Sequence, residues 1–212
     1  MEIQFIDCIV SSNEQGSHEW HMDRLGAISA SQVSQILTPT GKVSSSIEKL
    51  VFKLSAEKAI GIRAETFTSK AMLVGTNTEP EARDRFEVET GETVVETGFI
   101  FNTKTSLGCS PDGIIIRGGV PASGLEIKCP MPKTHMEYLS KGMPAIYMPQ
   151  VQACMAVTGM QEWVFMSYCI GLKPLVFTCS RDDDWIDKLL NECTDITIMI
   201  NEAADSFSDR PC

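Results

Sequence analysis

Cys109-Ser110-Pro111-Asp112-Gly113-Ile114-Ile115-Ile116, a turn through Gly118-Gly119-Val120-Pro121 and a return through Gly124-Leu125-Glu126-Ile127-Lys128-Cys129-Pro130 together decide how the chain is read. Isoleucines suit a pleated, half-buried surface and paired glycines suit a tight reversal, so the segment predicts a β-hairpin. Side chains alternate across a strand, which puts Glu126 and Lys128 on one face and Leu125 and Ile127 on the other, toward a core. The antiparallel return brings Asp112 beside Glu126 on the charged face. Two converging carboxylates form a hard-oxygen site suited to Mg²⁺ or Mn²⁺, with the carbonyl of Ile127 as a further ligand. Lys128 is then placed to hold a phosphate oxygen or to orient an attacking water. The same residues also fit a plainer description. Ser-Pro-Asp-Gly is a common turn, and Glu-x-Lys on a strand is commonly a solvated face with a same-side ion pair.

Upstream the pattern is helical. Ser29 followed by Gln32 reads as a capping box ahead of Val33, Ile36 and Leu37. After the break at Thr38-Pro39-Thr40-Gly41-Lys42, Ile47, Leu50, Val51, Leu54 and Ala59 repeat at helical spacing up to Gly61. A third helix is predicted from Ser69 to Thr90, with Ala71, Met72, Val74, Ala82, Phe86 and Val88 on its buried side and Pro80 as a point of kinking or splitting. Short segments over 93–101, 107–109, 113–116 and 124–129 then read as a β-meander. Helices follow over 132–141 and 144–157, strands over 162–170 and 175–179, and a last helix over 182–204. The expected class is mixed α/β (α+β), a small mixed central sheet flanked by helices. With no internal repeat or linker, residues 1–212 read as a single domain.

The composition, 43% hydrophobic and 22% charged over 212 residues, excludes a disordered chain. No apolar run approaches the roughly 18 residues that a membrane span needs, so no membrane partner is expected. The start, Met1-Glu2-Ile3-Gln4-Phe5-Ile6-Asp7, has acid where a secretory signal needs base, which points to the cytoplasm. Eight cysteines without a C-x-x-C pair, and three unpaired histidines, read as buried thiols in a reducing compartment rather than as a zinc site. The 18 basic and 28 acidic residues leave a net charge of −10, which at first argues against nucleic acid as a partner.

Four blocks of sequence change that expectation. They are Trp20-His21-Met22-Asp23-Arg24-Leu25-Gly26-Ala27-Ile28-Ser29-Ala30-Ser31; Gly75-Thr76-Asn77-Thr78-Glu79-Pro80-Glu81-Ala82-Arg83; the hairpin segments Ser110-Pro111-Asp112-Gly113 and Gly124 to Pro130; and Tyr147-Met148-Pro149-Gln150-Val151-Gln152. In this order and with these gaps, the chain resembles the phage lambda exonuclease (YqaJ-like) family of alkaline exonucleases, within the PD-(D/E)xK nuclease superfamily. The resemblance implies a restriction-endonuclease-like core. It also implies a Mg²⁺-dependent exonuclease, with Mn²⁺ able to substitute, that digests one strand of linear double-stranded DNA from a 5′-phosphorylated end. The product is a 3′ overhang for phage-type recombination in a bacterial host's cytoplasm. A ring-shaped homotrimer and a phage-type single-strand annealing protein as partner are implied as well.

By the same resemblance Asp112, Glu126 and the Ile127 carbonyl hold the metal, Glu79 joins them from its helix, and Lys128 contacts the scissile phosphate. Arg24, Ser31, Ser110 and Gln150 form the pocket for the terminal 5′-phosphate. From the residues alone, Glu79 is equally an exposed helix acid near Arg83, Ser31 a capping residue and Gln150 an ordinary helix polar position. Gln152 either supports Gln150 or faces the metal. The loop 38–46 occupies the place of the family's strand-separating wedge, with Lys42 or Val43 as its tip. Two other functions fit the same scaffold: a structure-specific endonuclease or junction resolvase, and a non-catalytic DNA-binding adaptor.

Overall fold

The computed structural model describes residues 3–63 and 70–207, and of residues 70–72 only the backbone. The decisive hairpin is β6 (Gly113–Arg117) and β7 (Val120–Lys128). Arg117 pairs with Val120 across Gly118 and Gly119, whose φ angles of 59° and 80° are the positive values that a two-residue reversal between strands requires. The register slips between Ile115 and Ile116, which face Ser123 and Pro121, so Ala122 is an extra residue in a β-bulge.

β7 is the centre of a five-stranded sheet ordered β3 (Thr93–Val95), β6, β7, β8 (Glu162–Ser167), β9 (Leu175–Ser180). It runs parallel to β8, and parallel neighbours need a long crossover. That crossover is α4 (Pro132–Lys141), a 3₁₀ turn (Ala145–Tyr147) and α5 (Met148–Thr158). The second sheet is ordered β1 (Cys8–Val10), β4 (Ile100–Asn102), β5 (Leu107–Cys109), β2 (Ile28–Ser29). The remaining helices are α1 (His18–Asp23), α2 (Ile47–Ile60), α3 (Lys70–Thr90) and α6 (Asp183–Phe207).

Alternation along β7 sets the two cores. Leu125 and Ile127 face α3 and pack with Ala82, Phe86, Ile115, Val164 and Met166. The opposite face meets α5 through Trp163 and Phe165, in a larger core with Val151, Cys154, Trp185 and Leu189. A Cβ on Gly124 would sit 2.3 Å from the Trp163 ring, so β7 and β8 reach this packing only with a bare backbone at that position.

Several expectations are corrected. The meander is divided between the sheets, because the chain leaves β3 and crosses at Gly98, where a Cβ would lie 2.6 Å from the Ser11 and Asn13 carbonyl oxygens. The helix expected after Ser29 is a 3₁₀ turn (Ala30–Gln35) that keeps the capping pair, with Ser29 N–H donating to Gln32 Oε1 at 3.1 Å. Val74 and Val88 are 46% and 81% exposed, because α3 meets the sheet through Ala82 and Phe86, one turn apart. Pro80 sits inside α3 at an exposed position and does not end it. The expected helix start at Ser69 and the burial of Ala71 and Met72 lie outside the described residues. Among the described residues, no helix is long and apolar enough to cross a membrane.

Candidate active site

Glu126 is almost fully buried (1%), yet it carries the charged face of the hairpin. Its Oε1 accepts from Lys128 Nζ and from Gln150 Nε2, the latter at 2.6 Å. Its Oε2 is buried with no hydrogen-bond partner. Asp112 comes alongside as the hairpin pattern requires: its N–H donates to the Leu125 carbonyl at 3.1 Å and its Oδ2 accepts from Ile127 N–H at 2.6 Å. Glu79 reaches the same place from α3, and its carboxyl group hydrogen-bonds that of Asp112. Arg83, one turn further along α3, does not pair with Glu79. Its Nε donates to the Asp112 carbonyl at 3.0 Å and its Nη1 meets Glu96.

Burial, followed by the neighbouring acid, pushes Asp112 and Glu126 each up to about 7 against the pull of Lys128. Glu79 is raised too, chiefly by burial. Burial opposes charge on Lys128 as well, but the two carboxylates outweigh it and hold the ammonium protonated well above its ordinary range. Three acids crowd around one cation, and one buried carboxylate oxygen has no donor.

The second constellation is a cavity of about 170 Å³ lined by Gln15, Trp20, Arg24, Ser29, Ala30, Ser31, Ser110, Gln150 and Cys154. All four residues expected to hold a terminal phosphate therefore line one pocket. The Arg24 guanidinium lies over Trp20, Cζ 4.0 Å from the ring centroid, with its Nε buried and unpartnered. Burial and then Arg63 lower its pKa to about 10, and the group remains a cation at neutral pH. Trp20 Nε1 donates to Ser110 Oγ at 3.1 Å, and Ser29 and Ser31 hydroxyls lie 3.2 Å apart. Gln150 belongs to both constellations, and Ser110 is two residues from Asp112.

Residues 19–161 match the model of the YqaJ-like viral recombinase domain. The chain belongs to that family. The fold is similar to an alkaline exonuclease (LHK-Exo) from Laribacter hongkongensis, with 30% identity, a TM-score of 0.79, and 90% of this chain covering 95% of that one. The same enzyme in complex with dAMP matches at 32% identity and a TM-score of 0.78, with the same coverage. A phage related exonuclease from Haemophilus somnus 129PT shares the fold at 14% identity, a TM-score of 0.69, and 86% of this chain over 96% of that one. No curated protein sequence matches significantly.

Among the described residues of this YqaJ-like domain, no three His, Cys, Asp or Glu side chains are grouped so that together they could hold a metal ion. A Mg²⁺ ion keeps several waters and is commonly bound through one or two carboxylates, so Asp112 and Glu126 suffice as its direct carboxylate ligands. The orphaned Glu126 Oε2 and the neighbouring carboxyl groups of Glu79 and Asp112 fit a hard divalent cation.

Gln152 is neither a support for Gln150 nor a metal-facing group. Two residues along α5 it points away, donating to the Ser180 carbonyl at 2.8 Å and accepting from Asp182 N–H at 2.9 Å, which ties α5 to the start of α6. The 38–46 loop closes on itself through a Leu37–Val43 bridge and is anchored to α6, where Trp185 Nε1 donates to the Thr38 carbonyl at 3.1 Å. Val43 is 58% exposed, and neither it nor Lys42 lines the pocket. Three contributors went unassigned in the sequence. Trp20 orients Ser110, Gln15 donates to the Pro111 carbonyl at 2.7 Å, and Tyr147 stands 5.6 Å from Lys128 Nζ. Trp20 and Tyr147 lie within the family blocks, which signalled the region but not the role; Gln15 lies in a loop with no pattern.

Proposed function

We propose that the chain is a divalent-metal-dependent exonuclease acting on one strand of linear duplex DNA from a 5′-phosphorylated end, leaving a 3′ overhang for recombination by strand annealing. One observation carries this reading: the acid–lysine cluster and the Arg24 pocket are adjacent and share Gln150. A chain end whose phosphate is held by Arg24, Ser31, Ser110 and Gln150 would present its next phosphodiester to Asp112, Glu126 and Lys128. Arg24 supplies a forked, permanently charged donor, and Lys128 supplies positive charge where the transition state gathers negative charge. Glu126, Asp112 and the Ile127 carbonyl would hold Mg²⁺, with Glu79 beside Asp112 completing the acidic cluster, and the ion when bound lowers the pKa of water and offsets charge on the leaving oxygen. The homotrimer and the annealing partner extend the proposal by resemblance.

The test is digestion of linear duplex labelled at either end, with and without 5′-phosphate, alongside closed circular duplex. Release of mononucleotides from the 5′-phosphorylated strand in Mg²⁺ is expected, lost in EDTA and in Lys128→Ala or Asp112→Ala proteins that remain folded. Cutting of closed circles would favour an endonuclease instead. Full activity in either variant would remove the assignment.

A further inference from the structure

Trp20 gathers more positive charge than the phosphate pocket uses. Besides Arg24, the Arg63 guanidinium lies 5.9 Å from the Trp20 ring centroid, and Arg63 does not line the pocket. Its Nη1 stands 3.2 Å from Nδ1 of His21, whose ring meets Trp20 edge-on at 4.9 Å. A guanidinium only donates, so His21 Nδ1 accepts and the imidazole serves to orient Arg63. The backbone delivers Arg63 to this place through Gly61, which ends α2 in the left-handed conformation (φ 69°) and turns the chain away from the helix axis.

The cluster is electrostatically uncomfortable by itself. His21 is lowered by burial and then by Arg63, Arg24 and His18, and Arg24 by burial and then by Arg63. Among the described residues, no salt bridge involves Arg24, Arg63 or His21. Asp23 is turned to Ser11 and Asn13, and Glu57 offsets Arg24 from α2. In a chain of net charge −10, two guanidinium groups are held against one indole beside the Arg24 pocket, a local excess of positive charge that an anionic ligand would match.

We propose that Arg63, oriented by His21, forms a second phosphate contact next to the terminal-phosphate pocket, taking a backbone phosphate of the duplex other than the 5′-terminal one. The inference rests on the DNA-end reading above. Phosphate matches the planar fork of arginine, and Trp20 fixes the spacing between the two arginines.

Equilibrium binding of a 3′-labelled duplex in EDTA, measured against KCl concentration, tests the contact without catalysis. Arg63→Gln should lower the slope of log Kd against log salt by about 0.9, the value for one phosphate, on both 5′-phosphate and 5′-hydroxyl duplexes. Arg63→Lys should keep the slope, and so should Lys104→Gln, which removes an exposed cation already paired with Asp7 at 2.7 Å. An unchanged slope in Arg63→Gln overturns the proposal. So does an effect that disappears on the 5′-hydroxyl duplex, which would assign Arg63 to the terminal phosphate, or an equal loss in Arg63→Lys. Competition by inorganic phosphate at constant ionic strength, abolished by Arg63→Gln while the DNA slope stays unchanged, would assign the site to free phosphate and also overturn it. Wild-type protein that digests DNA while Arg63→Gln keeps its slope sinks this inference alone; wild-type protein that binds no duplex sinks the DNA-end reading.

Discussion

Gln150 Nε2 donates to Glu126 Oε1 at 2.6 Å, so a residue expected to grip the terminal phosphate is also hydrogen-bonded to an acid proposed to hold the metal. The same residue lines the Arg24 pocket, so on the proposed function it would link holding the end to cutting beside it. Removing it as Gln150→Ala leaves Glu126 with Lys128 as its remaining donor and costs about 1–3 kcal/mol of stability. DNA hydrolysis should fall about tenfold or more in kcat/KM. Gln150→Glu should be worse, since it sets a carboxylate against a buried carboxylate. Steady-state kinetics and urea unfolding on both variants check this, and wild-type kinetics in Gln150→Ala would separate the two constellations.

Metal removal should make stability depend on pH in an unusual direction. Asp112 and Glu126 lie at about 7 in the folded chain, against ordinary values near 4. The folded state therefore holds protons that the unfolded state has already lost. That contribution to stability is complete below about pH 4 and disappears as pH rises through about 7. In EDTA, Tm should decline between about pH 4 and about pH 7, and added Mg²⁺ should raise Tm more at the higher pH because it binds the deprotonated acids. Lys128, raised above its ordinary range, titrates outside this window. A Mg²⁺ effect that is larger at the acid end would contradict the assignment of these carboxylates as ligands.

Gly124→Ala probes the strand that carries Glu126. The added methyl would sit 2.3 Å from the Trp163 ring, whose side chain is fully buried between β8 and the larger core. Ring and backbone are both fixed there, so the strands must separate, at a cost of about 1–3 kcal/mol. Denaturant midpoints measure it, and an unchanged midpoint would mean that the β7–β8 packing is looser than described.

How much of this was legible in the sequence depends on the length scale of each signal. The hairpin carried its own turn glycines and its period of two, so Asp112, Glu126 and Lys128 could be placed beside one another from local pattern alone. Ser31, Ser110 and Gln150 carried no local mark of function. Their meeting with Arg24 depends on β2 pairing with β5 and on α5 crossing behind the sheet, contacts between distant segments that only the family blocks anticipated. β1 and β2 are three and two residues long, too short for periodicity to show. Val88 failed for a different reason: helical spacing identifies a face, but Ala82 and Phe86 already fill the contact that the sheet offers.

Tyr147 should act on the reaction through Lys128. Its ring centroid is 5.6 Å from Lys128 Nζ, it stacks on Phe165 at 5.2 Å, and its hydroxyl lies 3.1 Å from that of Tyr138 on α4. The ring is thus held from two sides, and it offers the ammonium a negative face worth about 0.5–2 kcal/mol. If the ring is what steadies Lys128, Tyr147→Phe keeps most of the activity. Tyr147→Leu should then lower kcat about tenfold, about 1.4 kcal/mol and within that energy range, with little change in KM. Tyr138→Phe should resemble Tyr147→Phe, because each removes the same hydroxyl contact and leaves both rings. A loss in Tyr147→Phe as deep as in Tyr147→Leu would instead assign the role to the hydroxyl pair. Equal kcat in all four proteins would show that Glu126 alone fixes the lysine.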